Sequence, residues 1–150
     1  MPQLDDTGVL LAHAASTLYL VGLIWMVQAV HYPLFAQVGE AQAQAYARLH
    51  VARITWVVGP PMLVELATAA WLVVRPPPGL PRWALWVGLL LLALIWLSTA
   101  ALQVPEHRRL EVGFDPAAVR RLVRSNWLRT ALWTARGALA LFLLQRALRC

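Results

Sequence analysis

Between Thr7 and Gly39 the chain carries no charged side chain, and three further stretches follow the same pattern. Residues 54–74 hold only Glu65, 83–105 hold none, and 130–145 hold only Arg136. A bilayer's hydrocarbon core is ~30 Å thick and a helix rises ~1.5 Å per residue, so ~20 apolar residues cross it. Each stretch reaches or approaches that length. The pattern predicts an all-α integral membrane protein, one four-helix domain over residues 1–150 running up-down-up-down. The first span follows Asp5 and Asp6 with no basic segment before it and stays apolar past Val30, so it is expected to be retained and not cleaved as a signal peptide.

The polar connections sharpen this picture. Arg75-Pro-Pro-Pro-Gly-Leu-Pro-Arg82 is a short stiff turn that makes spans two and three neighbours. Pro105 is expected to end span three. Gly113-Phe114-Asp115-Pro116 then reads as a turn, an N-cap and a first helical residue, so a helix should start at Pro116 and run into span four. Gly39-Glu40 opens a similar helical extension ahead of span two, where Pro60-Pro61 should introduce a kink. The halves form a faint repeat: Gln28-x-x-His31 and Gln103-x-x-x-His107 close spans one and three, Val-Gly follows each, and His50-x-x-Arg53 or Asn126-x-x-Arg129 enters the next span.

Composition agrees with a membrane protein: 60% of residues are hydrophobic and 13% charged. All thirteen basic residues are Arg, and they flank apolar spans as orientation signals, which excludes a nucleic-acid-binding face. Arg48, Arg53, Arg108, Arg109, Arg120, Arg121, Arg124 and Arg129 stand on one side; Arg75, Arg82, Arg146 and Arg149 stand on the other. That split predicts a multi-pass protein of the cell inner membrane with termini outside and loops 31–53 and 105–129 cytoplasmic. Cys150 is the only cysteine, which excludes an intramolecular disulfide.

Candidate chemistry concentrates at the cytoplasmic ends of the spans. Gln28/His31, His50/Arg53, Gln103/His107 and Asn126/Arg129 are spaced so that both members share a helix face. Four such faces turned inward make a polar chamber. There His31, His50, His107, Arg53, Asn126 and Arg129 are the candidate catalytic residues, and Gln28, Gln103 and Trp133 candidate ligand contacts. The three histidines are also the candidate ligands for a metal or haem, although their spacing lacks a helical metal pair. His13 lies near the other end of span one. Glu65 and Arg136 fall deep in spans two and four, where an unpaired charge is costly, so they are expected to form a buried ion pair. Ser98 and Thr99 are candidates for polar company to Glu65. Among eight tryptophans, Trp71, Trp83, Trp86, Trp56 and Trp127 suit interfacial belts, and Trp25, Trp96 and Trp133 could line a pocket for a flat apolar ligand.

The elements Gln103-Val104-Pro105-x-His107, Asn126-Trp127-x-Arg129 and Trp133 resemble a group of small four-span bacterial membrane proteins without an assigned activity. They are more loosely similar to the anthrone-oxygenase-like family, whose last span begins with Asn-Trp-x-x-Arg; here Arg129 stands one position earlier. His31-Tyr32-Pro33 and Pro60-Pro61-x-x-x-Glu65 resemble the first group only. The resemblance implies an oxygenase-like or aromatic-ligand role. Two function classes follow: a membrane oxidoreductase or oxygenase-like enzyme taking an apolar or aromatic small molecule from the lipid, or a non-catalytic carrier or assembly partner. Either is compatible with a homo-oligomer.

Overall fold

The computed structural model describes residues 4–149, with side chains from Asp6 onward. Helix α1 spans Leu4–Met26 and passes through a π turn, Val27–His31, into the short α2, Tyr32–Phe35. Helix α3 is the long Glu40–Val74. Helix α4, Arg82–Ser98, passes through a second π turn, Thr99–Gln103, into α5, Val104–Val112, and α6 covers Pro116–Ala147. Three helical runs are long and apolar enough to cross a membrane: Asp6–Phe35, Glu40–Val74 and Arg82–Val112. Helix α6 is 32 residues long but carries Arg120, Arg121, Arg124, Arg129, Arg136 and Arg146.

Side-chain contacts fix how the helices pair. His13 meets Thr68, Thr17 meets Glu65 and His31 meets His50, so numbers rise along α1 and its π turn as they fall along α3. Trp25 meets Thr134 and Gln28 meets Asn126 in the same sense against α6. The approach of α6 to α1 requires Gly137: a Cβ there would stand 2.9 Å from Val21 Cγ2, closer than packed carbons allow. Gly79, at φ 82°, provides the left-handed residue that the 75–82 turn needs. The core stacks in three layers, around Leu10, Leu72, Leu85 and Leu143; around Leu20, Ile24, Met62, Ile95 and Trp133; and around Val27, Tyr32, Phe35, Ala47, Leu110 and Leu122. Large apolar side chains such as Leu63, Trp83, Trp86, Leu90 and Leu97 face outward.

Pro60 and Pro61 lie inside α3. Pro105 acts differently from the sequence expectation: it does not end the helix of span three, which continues to Val112. Instead a π turn precedes Pro33 and another precedes Pro105, with Tyr32 N–H donating to Val27 O and Val104 N–H to Thr99 O. A proline ring crowds the carbonyl four residues back, and a widened turn just ahead of it relieves that contact. The shared turn also resets the internal repeat: each ends two residues before its proline, so His31 corresponds to Gln103 and not to His107.

The polar end is tied by caps. Asp115 Oδ1 accepts from Ala117 N–H at 2.8 Å and opens α6 at Pro116. The Ala118 and Ala117 amides, with Arg121 beside them, hold the Asp115 carboxyl below its ordinary range. Glu106 accepts from Arg121 at 3.0 Å, which clamps α5 to α6, and from Arg109 of its own helix at 3.3 Å. Gln44 and Arg48 of α3 donate to the carbonyls of Glu111 and Val112, groups that a helix C-terminus leaves without partners.

Candidate functional site

Two polar centres lie within the bundle. At the end near the π turns, His31 Nε2 and His50 Nδ1 are 2.7 Å apart. Only one of these nitrogens carries the hydrogen between them, so with both rings neutral the pair keeps one N–H and one bare ring nitrogen on its outer sides. The His50 ring stacks on His107, centroids 5.3 Å apart, and His107 Nε2 lies 3.0 Å from the Tyr32 hydroxyl. The widened turn sets this arrangement: His31 is its last residue and Tyr32 the next, so one faces α3 and the other turns inward to His107. His50 Nε2 and His107 Nδ1 are buried and have no hydrogen-bond partner.

Beyond Tyr32 the network continues through α6. Arg129 donates Nη1–H to Asn126 Oδ1 at 3.1 Å, and Asn126 Nδ2 donates to Gln28 Oε1 at 2.9 Å. Gln28 also donates to Val123 O. The Arg129 guanidinium sits 5.1 Å from the Trp133 ring centroid, on its face.

Two spaces adjoin this cluster. An open groove of about 360 Å³ is walled by Met26, Leu49, Ile54 and Val57, with His31, Tyr46, His50 and Arg53 as its polar or aromatic lining. A smaller inner cavity of about 30 Å³ lies among Leu20, Val27, Tyr32, Ile54, Arg129 and Trp133. Ile54 belongs to both and forms the partition.

Not every residue expected here converges. Arg53 lies exposed on the groove wall. Gln103 turns to Ser125, donating at 2.9 Å, with its Oε1 buried and unpaired. Of the three deeper tryptophans only Trp133 lines a cavity; Trp25 and Trp96 face outward, Trp25 donating to Thr134. Among the described residues no group of three or more His, Cys, Asp or Glu is placed to hold a metal ion. A contact as short as that between His31 and His50 leaves no space for a metal between those nitrogens, whose bonds to zinc would each be ~2.0–2.1 Å.

The second centre lies deeper. Glu65 Oε1 accepts from Arg136 Nε at 2.9 Å and from Thr17 at 2.8 Å, and Oε2 accepts from Trp133 Nε1 at 3.4 Å. Arg136 also donates to Gly88 O. His13 joins from the far side through Thr68, at 3.0 Å. Ser98 and Thr99 do not reach Glu65; both bond back to Ile95 O, as short hydroxyls in helices do. Tyr32 and Thr17 carry the two centres but stand out in no sequence pattern, since a lone hydroxyl in an apolar span has no period. The nearest signal for Tyr32 was its place between His31 and Pro33.

Compared with protein-family models, with curated proteins and with solved structures, the chain finds no match.

Proposed function

We propose that the chain is a four-span inner-membrane protein, termini outside and long loops cytoplasmic, which takes an apolar molecule from the lipid into the groove and exchanges a proton with it through the histidines. Helix α6 is the fourth span. Its packing against both α1 and α4 favours that reading, because an Arg-rich helix can sit in lipid when its charges face the bundle: Arg129 and Arg136 are buried inward, while Arg120, Arg121 and Arg124 gather near one end.

The observation that carries the functional reading is the His31–His50 pair on a groove whose lining is apolar apart from Tyr46 and Arg53, backed by two buried ring nitrogens without partners. Buried polar atoms are seldom left unpaired where nothing visits them. An acidic O–H in the groove would give its proton to the histidine pair and keep the bond's electrons on oxygen. His107 and Tyr32 extend the relay inward. The resemblance to the anthrone-oxygenase-like family is compatible with this, since it implies an oxygenase-like or aromatic-ligand role.

The test uses 2-naphthol with the full chain in lipid nanodiscs, since neutral and anionic naphthol absorb differently. Protein-loaded discs should bind it well beyond empty discs and shift its ionisation to lower pH. His50→Phe should abolish the shift, and Val57→Trp, which fills the groove, should abolish binding. Equal uptake by loaded and empty discs rejects the reading.

A further inference from the structure

Arg129 presents an unsolved charge. Its side chain is 93% buried, and no carboxylate among the described residues lies within ion-pair distance. The other buried guanidinium, Arg136, has Glu65. The Asn126 carbonyl, the Tyr32 hydroxyl beside it and the Trp133 face are all neutral and compensate Arg129 only in part, and its Nε–H has no partner. A buried cation in a low-dielectric bundle is costly unless an opposite charge meets it.

The space to meet it is present. The inner cavity borders Arg129, Tyr32 and Trp133, and its ~30 Å³ is about twice the smallest volume that holds one water, enough for one small polar group and too small for a phosphate. Its other walls are Leu20, Leu23, Ile24, Val27 and Val58, which cannot satisfy a guanidinium. Ile54 alone is shared with the groove, so one flexible side chain is the wall that the two linings have in common.

We propose that Arg129 binds the anionic head of the groove's ligand, a carboxylate or phenolate oxygen seated between Tyr32 and Trp133, while the apolar body lies past Ile54 in the groove. The inference rests on the groove reading and adds the ligand's charge and polarity of entry: head inward, body toward lipid. Tyr32, bonded to His107, then stands between the bound anion and the histidines, the position from which a displaced proton would leave.

The experiment compares 2-naphthoate with methyl 2-naphthoate, matched bodies with and without the charge, against the full chain in nanodiscs and corrected for empty discs. The acid should bind at least tenfold tighter than the ester, as a charge-assisted contact in a dry site implies. That preference should vanish in Arg129→Gln and survive in Arg129→Lys. Equal affinity of acid and ester for the unaltered protein overturns the Arg129 assignment and leaves the groove intact. Binding of neither overturns both. Sodium bromide is the third arm: if bromide raises the thermal stability of the unaltered protein as much as naphthoate does, a free monovalent anion and not a ligand head occupies the site, and the proposal fails. The acid–ester comparison needs no variant to fold.

Discussion

Glu65 accepts hydrogen bonds from Arg136, Thr17 and Trp133, each on a different helix from its own, so one carboxylate ties α3 to both α1 and α6. Removing one partner leaves an uncompensated charge where nothing else can solvate it. Glu65→Gln or Arg136→Leu should each lower stability by ~3–5 kcal/mol, and the double variant should recover part of the sum. Denaturant titration of the four proteins in one detergent checks this, and strictly additive losses would reject the coupling. The contrast with Arg129 is instructive: the same side chain, buried on the same helix, has a carboxylate in one case and none in the other.

At the scale of elements, the π turns do what a straight helix could not. Each widens the chain before a proline without ending it, and the first sets His31 against α3 while the next residue, Tyr32, meets His107. Helix α6 depends on its cap in a way that pH can expose. Because the folded Asp115 carboxyl titrates below its ordinary value of 3.8, its contribution is complete above that value and is lost as pH falls through the lower one. Amide exchange at Ala117 and Ala118 should therefore accelerate relative to mid-helix amides between pH 5 and pH 2. Asp115→Ala should show fast exchange at both. A flat pH profile in the unaltered protein would show that the cap does not hold the helix start.

At the scale of the whole molecule, the membrane orientation decides whether the groove communicates with the cytoplasm. In a Cys150→Ser background, Pro78→Cys and Gly113→Cys should react with an impermeant thiol reagent from opposite sides, with Gly113→Cys labelled from the cytoplasm. Labelling of both from one side rejects the four-span arrangement. What the sequence by itself determined was the helical, membrane-suited chain, the start of α6 at Pro116, and that Glu65 and Arg136 stand at matching levels of their helices and can meet, because span length, capping and axial rise are local and additive along a helix. What only the tertiary structure decided was which way each polar side chain turns. The π turns shift the helical phase by a residue, so Gln103 faces Ser125 and not the histidines, and Ser98 and Thr99 satisfy themselves on their own backbone. Arg129 is left facing a cavity beside Tyr32, a relation between helices 97 residues apart in the chain that no local pattern encodes, because it depends on how three separate helices rotate about their axes when they pack.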